Sequence, residues 1–220
     1  FAPVVDVNLH PDVNTIKDRS FGPDKNLVAD YGSAVMRGMQ DGGVVACAKH
    51  FPGHGDTEVD SHKALPVLKF PKERLDSVEL YPFRRLIKDG VEMVMVGHLL
   101  VPVLDTLPAS VSKVVVTDLL RKKMKFRGLI ITDALGMEGV LEPFGGSGAK
   151  ATLAAYKAGV DILLMPDNVS ESIDLIVDYI GDDRRKLKDL DARVSRVLAL
   201  KGKCGKLTGR DDLSVDPAAV

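Results

Sequence analysis

Lys49-His50-Phe51-Pro52-Gly53-His54-Gly55-Asp56-Thr57-Glu58-Val59-Asp60-Ser61-His62 follows Val44-Val45-Ala46-Cys47-Ala48, a short apolar run with β-branched residues. The run reads as a buried strand, and the segment after it breaks into glycine, proline and charge. A polar loop therefore leaves the end of a core strand. That loop gathers His50, His54, Asp56, Asp60 and His62, side chains that move protons or hold metals. Gly53 and Gly55 let the backbone turn where side chains would clash, and Pro52 bars the strand from continuing. Polar loops of this length usually carry function.

Working outward, the same alternation repeats along the chain. Phe1–Val7 reads as a strand that opens without a lead-in, and Phe1 is not a methionine, so an earlier segment is expected. Leu27, Val28, Tyr31, Val35 and Met39 recur at helical spacing, closed by Gly42-Gly43. Pro71 opens the next helical stretch, Pro82 breaks or restarts it, and Gly90 caps it. Val91–Gly97 and Leu129–Thr132 are buried strands, with a helix over Ser112–Phe126 between them. A helix over Ala149–Ala158, a strand over Asp161–Met165 and two further helical stretches complete the pattern.

Continuous apolar strands separated by amphipathic helices imply an α/β fold with a parallel sheet, either doubly wound or a barrel. About five strands are legible where a (β/α)8 TIM-like barrel of about 250 residues has eight. An N-terminally truncated barrel over residues 1–202, followed by an irregular tail over 203–220, is the economical expectation. In such folds reactive groups sit at the carboxyl ends of strands, where Lys49, His50, His98 and Asp133 fall.

Composition narrows the partners. Thirty basic against 31 acidic residues leave a net charge of -1, so no global field draws the chain to nucleic acid or anionic membrane. No apolar run reaches the roughly 18 residues of a membrane-spanning helix. Two isolated cysteines make no disulfide framework, and the compartment stays undecided.

Several groups could carry chemistry. Asp133, after a branched apolar run, stands at the mouth of the fold or caps a turn. Asp60 and His62, two apart in an extended loop, can pair, which holds the ring tautomer and raises its pKa. His54, Asp56, Asp60 and His62 could instead ligate zinc or iron, but their spacing matches no familiar ligand set. Arg19 in Asp18-Arg19-Ser20-Phe21-Gly22 clamps a substrate or forms a loop ion pair. Lys49 and His50 reach one ligand only if the strand bends there. His98 is either a site residue or a satisfied core histidine.

Taken together, KHFPGHGDTEVDSH, the upstream DRSFG and the downstream LIITDALGM resemble the family 3 glycoside hydrolases, in particular the single-domain bacterial β-N-acetylhexosaminidases. The Asp60-Ser61-His62 triplet separates that branch from the two-domain β-glucosidases. The resemblance spans FAPVVDV to the last helix. It implies a (β/α)8-like barrel, a carbohydrate substrate with terminal β-linked N-acetylglucosamine, often from peptidoglycan, and no cofactor or metal. It also implies that Asp133 is the nucleophile, His62 the acid/base, Asp60 its partner, and Arg19, Lys49 and His50 sugar-binding positions. Two departures stand out. The family's second acidic residue after the nucleophile is Ala134 here, and its upstream segment, with an acid that grips sugar hydroxyls, is absent from this sequence. Little turnover is therefore expected from these 220 residues alone. A catalytically silent sugar-binding relative and a metal-dependent barrel hydrolase remain the alternatives.

Overall fold

The computed structural model describes residues 1–10, 16–57 and 65–205. Three strands form its parallel sheet: β1 (Cys47–Phe51), β2 (Met93–Val96) and β3 (Leu129–Thr132), in that order. Cys47 pairs with Met93 and Met93 with Leu129, so the registers run across all three strands. Single parallel bridges extend the arc on both sides, from Val4 to Lys49 and from Ile131 to Ile162. Backbone bonds support them: Val5 N–H donates to the Lys49 carbonyl at 2.8 Å, and Thr132 N–H to that of Ile162 at 3.1 Å. Five strand positions thus lie side by side in chain order.

Between them run α1 (Lys25–Asp41), α2 (Leu80–Lys88), the wider-turned π-helix α3 (Val114–Lys123) and α4 (Gly148–Ala158), and α5 (Val169–Ile180) and α6 (Arg184–Lys203) follow the last strand position. Their starts follow capping chemistry: the side chains of Asp24, Ser147, Asn168 and Asp183 each accept a backbone N–H from the first turn of α1, α4, α5 and α6. Gly159, at φ 109°, ends α4, and a Cβ there would meet Thr117 Oγ1 at 2.4 Å. Pro82 does not break α2. It sits in the first turn of α2, directly after the wider-turned stretch Leu75–Glu79.

The side-chain alternation of the strands separates two faces. Val94, Val96 and Ile130 join a core with Val28 and Met36 of α1, Phe83 and Leu86 of α2, Leu120 of α3 and Ala155 of α4. Phe51 meets Phe83 edge-on at 5.2 Å in that layer. Cys47, Met93, Met95, Leu129 and Ile131 line the opposite face, packed against Ile162, Leu164 and, from α6, Val197 and Leu200. Four helices therefore cover one face, while the other meets the strand residues Ile162 and Leu164 and the last helix, α6. The result is a singly wound α/β arc, and the described residues supply five strand positions of the eight in a closed barrel.

α6 crosses the amino-terminal side of the sheet. Arg196 bonds Asp161 Oδ1 at 2.7 Å, and the Lys203 ammonium pairs with Glu92, just before β2. Among the described residues, no helix is long and apolar enough to cross a membrane.

Two expectations shift. The central strand begins at Cys47, not Val44, whose side chain is 55% exposed. Pairing with Met93 overrides the β propensity of the valines. On α1 the buried residues are Val28, Ala29, Gly32, Ser33 and Met36, while Leu27, Tyr31 and Val35 face outward. Val169, Ile173 and Val177 form a matching outward stripe on α5. The arc thus carries an apolar helix face at each flank.

Candidate active site

Asp133 follows β3 directly, and the alternation that sends Leu129 and Ile131 to the inner face sends it there too. Its backbone N–H donates to the Val96 carbonyl at 2.9 Å, which holds it to the carboxyl end of β2. Its Oδ1 accepts the Ala134 N–H at 2.9 Å, and the side chain is half-buried. Oδ2 accepts no hydrogen bond among the described residues. A carboxylate so held is fixed by backbone and still reachable.

Across β2 from it, at the carboxyl end of β1, lies a buried polar cluster. Asp6, on the first strand segment, is fully buried. Its Oδ2 is 2.8 Å from His50 Nδ1, and its Oδ1 accepts the backbone N–H groups of His50 at 3.0 Å and His54 at 2.7 Å. A carboxylate only accepts, so Nδ1 of His50 carries the proton, while Nε2 has no partner among the described residues. Burial by itself raises the Asp6 pKa, but the charge and hydrogen bonds of His50, with His54, hold it below its ordinary value. His54 moves down from its ordinary value through burial, against the pull of Asp6. A negative group, buried and fully satisfied, thus fixes the His50 imidazole and the His54 backbone at the strand end.

The Lys49–His50 peptide is cis, as are Phe51–Pro52 and Ala2–Pro3. The register of β1 against β2 also shifts between Ala48 and Phe51. A Cβ at Gly97 would sit 3.2 Å from His50 Cβ, so the end of β2 packs against the ring's root.

The following turn depends on its glycines. A Cβ on Gly55 would lie 2.0 Å from the Val7 carbonyl oxygen, and one on Gly53, at φ 128°, 2.8 Å from Glu79 Cβ. Asp56 Oδ2 bonds Arg74 at 2.9 Å, and Oδ1 lies 3.1 Å from His10 Nε2. Arg74 also donates to Glu79 Oε1 at 2.9 Å. Burial raises the Glu79 pKa despite Arg74, consistent with an Oε2 that is buried and unpartnered. Thr57 Oγ1 closes the turn against His54 Nδ1 at 2.5 Å.

The expected site residues divide accordingly. Asp133 follows the carboxyl end of β3, His50 lies near that of β1, and Lys49 precedes it within β1. Asp60 and His62 lie outside the described residues. Arg19 is exposed in the short helical turn Lys17–Arg19, after the first strand segment. Of the proposed metal set, Asp56 is already engaged by Arg74 and His10. Sequence reasoning missed Asp6. Its signal was an acid inside the apolar Val4-Val5-Asp6-Val7 run, a position tolerated only when the charge is paired.

A family model described as "Glycosyl hydrolase family 3 N terminal domain" matches residues 1–200. The chain is 33% identical to Beta-hexosaminidase A of Pseudoalteromonas piscicida over 92% of its own length and 37% of that relative. It is 39% identical to the Beta-hexosaminidase of Hydrogenovibrio crunogenus over 75% of its length and 45% of the relative's. Among solved structures it resembles the glycoside hydrolase family 3 beta-N-acetylglucosaminidase from Paenibacillus sp. str. FPU-7, at 37% identity and a TM-score of 0.89. That match covers 99% of this chain and 42% of the other. The chain spans less than half the length of these relatives.

Proposed function

The chain belongs to glycosyl hydrolase family 3, and from that premise we propose that it forms the catalytic barrel portion of a retaining β-N-acetylhexosaminidase. Its substrates would be glycans ending in β-linked N-acetylglucosamine, including fragments of peptidoglycan or chitin. Residues 1–202 are the barrel portion in this reading, and further β/α units pack on the outward apolar faces of α1 and α5.

Asp133 attacks the anomeric carbon, passing through an oxocarbenium-like transition state to a glycosyl ester. As the bond from that carbon to the leaving oxygen breaks, His62 delivers its proton to that oxygen. The resulting neutral imidazole takes a proton from water, whose oxygen attacks the same carbon and frees the Asp133 carboxylate. Asp60 orients His62 and favours its protonated form. Lys49, His50 and Arg19 bind sugar hydroxyls, with His50 held for that task through its Nδ1 bond to Asp6.

The observation that carries the reading is the half-buried Asp133 at the carboxyl end of β3, across β2 from the strand that bears Lys49 and His50. The test is hydrolysis of a chromogenic N-acetyl-β-glucosaminide by the full-length protein, with the first-formed anomer read by NMR. The β anomer supports the reading; the α anomer, or no turnover, contradicts it. Turnover that a chelator abolishes would favour the metal-dependent hydrolase instead.

A further inference from the structure

We propose that His98 is a positioning residue for Asp133, acting through the Ala134 peptide; the inference rests on Asp133 being the nucleophile. His98 lies two residues past β2 and is fully buried, as is Ser110 in the turn Ala109–Val111. Its Nε2 is 2.9 Å from the Ala134 carbonyl oxygen and its Nδ1 2.6 Å from Ser110 Oγ. A carbonyl only accepts, so Nε2 carries the proton. Nδ1 then accepts from the Ser110 hydroxyl, and both bonds are satisfied by one neutral tautomer.

The residue that His98 holds is also the one that sets the nucleophile. Ala134 N–H donates to Asp133 Oδ1 at 2.9 Å, so the orientation of Ala134 determines which carboxylate oxygen is tied back. The flanking backbone is pinned on both sides, Asp133 N–H to Val96 and Leu135 N–H to Leu164, each at 2.9 Å. The Ala134 carbonyl accepts from His98 at 2.9 Å and, at the longer 3.2 Å, from the Met137 N–H, so His98 supplies its shorter bond and its side-chain one. With no side chain beyond Cβ, Ala134 cannot anchor itself. The line Ser110, His98, Ala134, Asp133 thus runs from a rigid turn to the attacking group, and a misplacement of about 1 Å there costs about 100-fold in rate.

A histidine that merely fills the core would not care which ring nitrogen is replaced. His98→Gln places an amide donor near the Nε2 position, whereas His98→Asn reaches only as far as Nδ1 and leaves the Ala134 carbonyl with the longer Met137 N–H bond alone. In the full-length protein, with rates normalised to the folded fraction by circular dichroism, His98→Asn should lower kcat about 100-fold with KM little changed. His98→Gln should recover most of that loss. Ser110→Ala, which removes only a hydroxyl, should lower kcat about 10-fold and keeps the test open should His98→Asn fail to fold. Equal kcat for the Asn and Gln variants, or an unaffected Ser110→Ala, overturns the inference while an active wild type preserves the glycosidase reading. A wild type without turnover overturns both.

Discussion

Asp6 and His50, 44 positions apart in sequence, meet at 2.8 Å in the buried interior, and the same carboxylate also accepts two backbone N–H groups. Removing it strands an imidazole and two amides away from water. Asp6→Ala should therefore cost about 3–5 kcal/mol, measured by denaturant unfolding. Asp6→Asn, which keeps one acceptor, should cost less. A loss below about 1 kcal/mol for Asp6→Ala would mean that the cluster is not built as described.

Acid should weaken the fold in two stages. The pKa of His54 lies below its ordinary 6.5, so the unfolded chain binds a proton before the folded one does. Stability is then full above about 6.5 and falls as pH drops from there toward the folded value. Asp6, held below its ordinary 3.8, adds a second loss that begins only under that value. Glu79, raised by burial, acts in the opposite sense above its ordinary 4.5, so the check belongs in a Glu79→Gln background. Denaturant midpoints there should fall below pH 6.5 and again below 3.8; a midpoint that rises between pH 6.5 and 5 would contradict the downward shift of His54.

Two glycine-to-alanine substitutions should have opposite effects. At Gly55 a Cβ would meet three backbone atoms of Val7, at 2.0, 2.4 and 2.8 Å, so the strand or the turn must move. Gly55→Ala should cost at least about 2 kcal/mol. Gly38, inside α1, has no atom within 4 Å of such a Cβ, and Gly38→Ala should stabilise by about 0.5–1 kcal/mol. Thermal melts of both variants check the pair.

The two cysteines should differ in reactivity. Burial pushes the Cys47 thiol up to about 12, and the side chain is inaccessible beneath α6. Cys204 is partly exposed. A thiol reagent under native conditions should modify Cys204 and spare Cys47 until denaturant is added. Rapid native labelling of Cys47 would mean that the inner face is open.

Much of this was legible because strand signals are local. Met93–Val96 and Leu129–Thr132 are apolar on both faces, and a parallel sheet requires that wherever they pair. Asp133 stood out as the polar residue ending such a run. What stayed hidden depends on distant partners. Leu27, Tyr31 and Val35 have the same helical period as Val28 and Met36, and packing against distant residues, such as the close approach of Gly32 to Val5 and Leu86, sets which stripe faces the sheet. Asp6 gains its meaning from His50, far along the chain, and His98 from a serine in a later turn. No nearby residue announces either pairing.

The central claim is that Asp133 attacks the sugar, and covalent trapping tests it most directly. The full-length protein is treated with an activated fluorosugar that retains the 2-acetamido group, digested, and sequenced by mass spectrometry. The prediction is a single glycosyl adduct on Asp133, lost in Asp133→Asn together with about 10⁴-fold or more of kcat. An adduct on any other residue, or none from an enzyme that turns over its substrate, would contradict it.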